Sequence, residues 1–344
     1  MAGKINIKEL AKYLNLSIAT VSKALRDSYE ISEQTKKKVL EAAEKLNYTP
    51  NPHASSLRKR KSKTIAVILP EVADNFFSLA INGIQSIAGD KGYHLLIYLS
   101  HEKFENEKAI VEECKSGRVD GVLISISSET TDAEHIKKLQ AENIPVVFFD
   151  REFENIKAAK VITNDYECGQ AAAEHLLKNG SKHPVFLSIS SSLPICNKRA
   201  EGFSSVLINH GIFHKDSILY CDVDTEKMRK QIKKIISKES GIDAIVTSVE
   251  RVAMQVYLTC HEKNIKIPED LKVIAFSTLE TAPILSPPLT TITQPAFEIG
   301  KKAAEILFKS IEKSNYDLAS DLIIIPSKLI ERTSTKKVRN KQSA

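Results

Sequence analysis

The sequence predicts an α/β chain in two unequal parts: a three-helix helix-turn-helix domain continued by a hinge helix, then a large two-lobed, doubly wound body. Two patterns and a charge imbalance point there. The first 46 residues carry helical apolar spacing with a capping residue before each segment, and from residue 64 onward short β-rich runs alternate with helix-length segments. Of the 49 Lys and Arg in the 344 residues, 14 lie in residues 1–63 against 6 Asp and Glu, while the remainder holds 35 against 37. A small basic module ahead of a near-neutral body is the electrostatic footprint expected of nucleic-acid binding.

The first helix follows from Asn6 and Glu9, three apart, which can form a capping box, and from Ile7, Leu10, Ala11 and Leu14, which share one apolar face. Asn15 suits a left-handed turn, and Ser17 is a good N-cap for a second helix. That helix is small along most of its length: Ser17, Ala19, Thr20 and Ser22 are short, while Val21, Ala24 and Leu25 suit a core. A helix whose N-terminal end lies in the major groove must come close to base edges, so bulk is excluded there, and the hydroxyls of Ser17, Thr20 and Ser22 can reach phosphates. Lys23, one turn on, can reach a guanine edge or a phosphate. Ser32 caps a third helix, with Val39, Ala42, Ala43 and Leu46 facing inward and Lys36, Lys37 and Lys38 outward, until "YTPNP" stops it.

In "NPHASSLRKRKSKT" (51–64), Asn51 and Pro52 can start a short helix, Ala54 and Leu57 share a face, and a basic run follows. An apolar wedge beside cations is how minor-groove binders open a base step. The body then repeats βαβ logic twice, through "TIAVILP" (64–70), "YHLLIYLS" (93–100), "GVLISIS" (121–127) and "PVVFFD" (145–150), and again through "PVFLSIS" (184–190), "AIVTSV" (244–249) and "KVIAFS" (272–277). Two such lobes place a ligand crevice at the carboxyl ends of their strands, the layout of periplasmic binding proteins. The candidate ligand residues at those ends are Asp74, Asn75 and Phe76, Asp150 and Arg151, Arg199 at a helix start, and Thr278. Phe76 serves equally as core, and Asp150 with Arg151 equally as a surface pair.

Other classes fit less well. No run approaches the roughly 18 apolar residues of a membrane span, and the N-terminus lacks an apolar leader, so a cytoplasmic location is expected. Cys114, Cys168, Cys196, Cys221 and Cys260 are scattered, with neither a Cys-x-x-Cys pair nor a zinc pattern, and read as reduced thiols. An enzyme would need a catalytic constellation, and no G-x-G-x-x-G, Walker loop, G-x-S-x-G or metal motif occurs. Neither a catalytic residue nor a cofactor is expected. A solute-binding protein of sugar uptake shares the body but has no use for residues 1–60.

The stretches "IKELAKYLNLSIATVSKAL" (7–25), "LNYTPNPHASSLR" (46–58), "RAEGF" (199–203) and "SPPLTTITQP" (286–295) resemble the lactose/galactose repressor family of bacterial transcription regulators. The resemblance implies base-reading positions at Ile18, Ala19 and Lys23, a minor-groove leucine at Leu57 with Ala54 beside it, and a ligand-binding Arg199. It also implies interlobe crossings near 161–164, 291–294 and 321–330. The resulting division is 1–50 for the DNA-binding domain, 51–63 for the hinge and linker, 64–335 for the body and 336–344 for a polar tail. Lobe one takes about 64–161 and 292–320, lobe two about 162–291 and 321–335. Departures occur: Asn15 stands where Gly is common, Ser55 where Arg is common, Ser277 and Thr278 replace a frequent Asp pair, and Val249, also a candidate effector-binding position, replaces an Asn that commonly contacts ligand. With that carboxylate gone and Arg199 retained, an anionic effector such as a sugar phosphate or sugar acid is the expectation, with control by a protein partner as the rival. One helix-turn-helix reads half a site, so a homodimer on a pseudo-palindromic double-stranded operator is expected, its half-sites ~10 bp apart. The tail lacks the leucine heptads that would extend the dimer to a tetramer.

Overall fold

The computed structural model describes residues 5–48, 61–72, 75–154, 156–237, 240–313, 317–318 and 321–336. The chain divides into two compact units, residues 1–62 and 63–344. The hinge positions Asn51, Ala54 and Leu57, and Asp74 of the body, lie outside the described residues.

The first unit contains α1 (Ile7–Leu14), α2 (Ile18–Ala24) and α3 (Glu33–Lys45). Its start signals act as their chemistry dictates. Asn6 Oδ1 accepts from the backbone N–H groups of Lys8 and Glu9 at 2.9 and 3.1 Å, and the Glu9 carboxylate accepts from Asn6 N at 2.9 Å, completing the capping box. Asn15 takes the left-handed conformation, φ 54°, that turns the chain between α1 and α2. Leu10, Ala11, Val21, Ala24, Val39, Ala42 and Ala43 close over one another as the core. Leu10 and Val21 are completely buried, each worth ~1.5–3 kcal/mol. One expectation fails: Lys36 does not face outward but is 8% exposed, with its ammonium 2.7 Å from both Asp27 and Glu33. Asp27 adopts φ 55° in the turn after α2, and that turn brings it over α3.

The second unit is two lobes of one design. Lobe one holds β1 (Thr64–Leu69), α4 (Asn75–Asp90), β2 (His94–Leu99), α5 (Phe104–Cys114), β3 (Val122–Ile124), α6 (Glu134–Ala141), β4 (Val146–Phe149) and β5 (Ala159–Ile162). Lobe two holds α7 (Asp165–Lys178), β6 (Pro184–Ser188), α8 (Pro194–Asn209), β7 (Ile218–Tyr220), α9 (Thr225–Ile235), β8 (Ala244–Thr247), α10 (Glu250–Glu262), β9 (Lys272–Phe276) and β10 (Thr290–Thr293). The chain returns to lobe one with α11 (Ala296–Glu312) and β11 (Leu322–Ile324), then to lobe two with β12 (Lys328–Ile330). The sheet orders are β11-β5-β4-β3-β1-β2 and β12-β10-β9-β8-β6-β7. Leaving aside the late strands β11 and β12, both are the doubly wound 2-1-3-4-5 order.

The lobe boundaries need correction. Leu322–Ile324 was expected in lobe two, but β11 pairs in parallel with β5 because Ile323 and Ile325 pack on the lobe-one core. Ile292 and Thr293 stay with lobe two, paired to β9 and β12, and Ile162 stays with lobe one. The crossings therefore fall at 163–164, 294–295 and 325–327.

Within each lobe, one pair of helices touches backbone to backbone. A Cβ added to Gly83 on α4 would lie 2.1 Å from the carbonyl oxygen of Phe297 on α11, and one on Gly300 would lie 2.0 Å from that of Ala80. Lobe two repeats the device: a Cβ on Gly202 of α8 would meet the Tyr166 carbonyl oxygen at 1.9 Å, and one on Gly169 of α7 the Arg199 carbonyl oxygen at 2.1 Å. The glycine of "RAEGF" thus holds α8 against α7, its Phe203 is completely buried, and its arginine is set between the lobes.

Candidate functional site

On α2, Ser17, Ile18 and Ala19 are exposed, and Val21 and Ala24 face the core. Ser17 Oγ accepts from Thr20 N at 3.0 Å and lies 2.8 Å from Thr20 Oγ1, so these hydroxyls begin the helix while remaining at its surface. Ser22 is engaged by Arg26, which donates to its carbonyl and hydroxyl oxygens at 2.9 and 3.0 Å. Lys23 is ion-paired with Glu30. Beside Glu30 stands Tyr29, 94% exposed. Tyr29 and Glu30 lie beyond the helical spacing of α2, so no periodic signal in the sequence marks them.

The second site is the interlobe crevice. Phe76, Asp150, Arg151, Arg199, Val249 and Thr278, all proposed from sequence, line one chamber of about 40 Å³. Asn75 is at its rim, donating from Nδ2 to the Thr278 carbonyl oxygen at 2.5 Å, and so joins α4 of one lobe to the end of β9 in the other. A second chamber of about 340 Å³ adjoins it, sharing Phe77, Arg151, Ile189, Val249 and Glu250 and adding Glu71, Glu102, Arg251 and Met254. Only the second reaches the size usual for small-molecule pockets, ~300–1,000 Å³.

Two arginines face each other across the crevice. Asp150 turns the chain sharply after β4 with φ 62°, which points Arg151 inward. Arg151 Nη1 donates to both oxygens of Glu102 at 3.0 and 2.9 Å. Burial alone would lower the Arg151 pKa, but Glu102 and Asp150 outweigh it and raise the value; reciprocally, Glu102 is held below the ordinary carboxylate range because Arg151 and the Ser128 N–H outweigh its burial. Arg199 is 2% exposed; its Nε donates to Asp165 Oδ1 at 2.7 Å, its Nη1 to the Ser248 carbonyl oxygen at 2.7 Å, and its guanidinium lies 4.2 Å from the centre of the Phe276 ring. Its Nη2 is buried and has no hydrogen-bond partner among the described residues. A buried donor left open in this way is costly unless something else accepts from it.

The expectation that the crevice has lost its carboxylate is overturned. Glu250, the first residue of α10, lines both chambers, accepts from Ser277 Oγ at 2.9 Å and from Asn75 N at 3.4 Å, and accompanies Asp150. The sequence signal for Glu250 is its place directly after Val249, at the end of the run 244–249. Gln294, at the second crossing, donates to Asp150 Oδ1 at 3.3 Å. All five cysteines are buried, Cys196 among the lining residues with its thiol pushed up by burial. Among the described residues no group of three or more His, Cys, Asp or Glu could hold a metal, and no helix is long and apolar enough to cross a membrane.

A helix-turn-helix unit joined in one chain to a two-lobed binding body defines a DNA-binding regulator. The model of the periplasmic binding proteins and sugar binding domain of the LacI family matches residues 62–333, and that of the lacI-family bacterial regulatory proteins matches residues 6–51. The chain belongs to the LacI family and is a DNA-binding transcriptional repressor, not an enzyme. It is 28% identical to the ribose operon repressor of Halalkalibacterium halodurans over 98% of this chain and 99% of the relative. It is 30% identical to the repressor PurR of Vibrio cholerae over 90% and 93%. The lac repressor dimer bound to operator and the anti-inducer ONPF shares the fold, with a TM-score of 0.84 at 21% identity over 97% of this chain and all of the other.

Proposed function

We propose that this repressor acts in the cytoplasm as a homodimer on a pseudo-palindromic double-stranded operator, and that a small carbohydrate-type effector in the interlobe crevice controls it. Ser17, Ile18, Ala19, Thr20, Ser22 and Lys23 form the groove-facing set, with Asn51, Ala54 and Leu57 as the minor-groove element. The observation that carries the effector reading is Arg199 Nη2, an open donor in the smaller chamber, which Phe276, Asp150 and Glu250 also line and which adjoins the larger one through Glu250. Aromatic faces suit the apolar face of a sugar ring, and carboxylates accept from hydroxyls in charge-assisted bonds. Glu250 shifts the balance from sugar phosphates and sugar acids toward neutral sugars, since Arg199 and Arg151 already answer Asp165 and Glu102. One relative is named for a ribose operon, in keeping with this class.

Half-exposed Leu96 and Ile97 on the edge strand β2 suit a body-to-body dimer contact. Light scattering of the full chain should give a dimer at micromolar concentration; a monomer or a stable tetramer contradicts the assembly. Calorimetry with neutral sugars, sugar phosphates and uronic acids should find binding by a neutral sugar. Arg199→Lys should weaken it by about tenfold or more, the worth of a hydrogen bond to a charged group. Unchanged affinity in that variant removes Arg199 as the anchor.

A further inference from the structure

The turn between α2 and α3 carries two side chains that the domain core does not use, Tyr29 and Glu30. The neighbouring charges have local duties: Asp27 holds Lys36, and Arg26 is folded back on Ser22. Glu30 differs, because its partner is Lys23, the one cation within α2. Both side chains are close to half exposed, 43% and 47%, so water screens the pair and it adds little to stability. Its importance is positional: wherever Lys23 reaches, a carboxylate can follow.

Resting on the reading that α2 enters the major groove, we propose that Glu30 is a specificity-determining residue which, together with Lys23, reads one G·C base pair in each half-site. A lone lysine would serve a phosphate as readily as a base. With Glu30 beside it, the local charge cancels, counterion release at that point is lost, and a phosphate repels half of the pair. What remains is a donor and an acceptor side by side. A G·C pair offers guanine N7 and O6 as adjacent acceptors with cytosine N4 as the donor next to them, so the ammonium and the carboxylate each find a complement. On an A·T pair the single donor, adenine N6, lies between the acceptors N7 and thymine O4, and a carboxylate approaching it is repelled from both sides. Tyr29, unpacked and adjacent, brings a hydroxyl donor to the same surface.

The test is selection of binding sites from a randomised duplex pool by the full-length wild type, Lys23→Ala, Glu30→Ala and Glu30→Gln, followed by isotherms at several salt concentrations. The wild type should select a two-fold symmetric site with an obligatory G·C at one position of each half. Glu30→Ala should lose that preference alone, by about tenfold. It should also bind random duplex more tightly, with a salt slope steeper by about one unit because Lys23 is released to phosphate. Glu30→Gln, which keeps an acceptor but no charge, should fall between. An unchanged consensus and slope in Glu30→Ala overturns the proposal, as does an A·T at the position that Lys23→Ala relaxes. If Lys23→Ala also leaves the selected site unchanged, the groove placement of α2 has failed as well.

Discussion

The two lobes share a strand order and a glycine-mediated helix contact, yet they present different chemistry to the crevice between them. In lobe one, Arg151 gives Nη1 to both oxygens of Glu102, and none of its nitrogens is a fully buried donor without a partner among the described residues. In lobe two, Arg199 satisfies Asp165 and a carbonyl and still holds Nη2 open. Duplicated architecture therefore does not mean duplicated function. The scaffold brings one cation to each wall, and only on the lobe-two wall is a guanidinium nitrogen fully buried without an acceptor among the described residues.

Removing each cation in turn is the severest way to break this comparison. Arg199→Ala leaves the Asp165 carboxylate, whose side chain is 4% exposed, with the neutral Thr163 hydroxyl at 2.8 Å but without its cation, and should cost ~3–5 kcal/mol, as expected for a buried pair deprived of one partner. Arg151→Ala strands Glu102, which is 12% exposed and keeps the Ser128 N–H at 2.7 Å, so its loss should be smaller. Urea denaturation of the two variants compares them directly, and a larger loss in Arg151→Ala would reverse the assignment of the walls.

The glycine contacts sharpen the comparison at lower cost. Gly83→Ala and Gly169→Ala each place a methyl about 2.1 Å from a backbone carbonyl oxygen, so both should destabilise by ~1–3 kcal/mol or more as the helices part. Only in Gly169→Ala does the displaced carbonyl belong to Arg199. Effector affinity should therefore fall in the lobe-two variant and hold in the lobe-one variant when both are measured well below their melting temperatures. Equal effects on binding would mean that Arg199 is positioned by its ion pair alone.

The same contrast explains what could be read in the sequence. Asn6 with Glu9, Ser17 and Ser32 signal helix starts through interactions spanning three residues, and the seven β-rich runs all became strands, so local chemistry was legible. Arg199 was legible through "RAEGF", whose spacing now has a physical cause in Gly202 and Phe203. Glu250 was not, because its partner Ser277 is 27 residues away and its other contact, Asn75, is in the opposite lobe. Lys36 was misread for a related reason: helical spacing says which face it occupies but not that the Asp27 turn folds over that face. Short strands such as β7 and β11, three residues each, carry too little periodicity to be seen.

The smallest effect concerns a histidine in each lobe. In lobe one, His135 Nε2 meets the buried carboxylate of Glu107 at 2.8 Å, whereas in lobe two His175 Nε2 meets, among the described residues, the hydroxyl of Thr335 at 2.8 Å and the amide of Asn179. Burial lowers the His175 pKa below its ordinary 6.5; Lys178 adds to that and Glu331 opposes it. As pH falls below about 6.5, the unfolded chain takes up this proton before the native imidazole does, so the stability present at higher pH is progressively lost until the native imidazole is itself protonated. His175→Gln, which can keep a hydrogen bond to Thr335 without a titrating group, should remove that part of the pH slope. The difference in unfolding midpoint between wild type and variant, followed from pH 8 to pH 5, should therefore move against the wild type on acidification, and a constant difference would show that His175 titrates alike in both states.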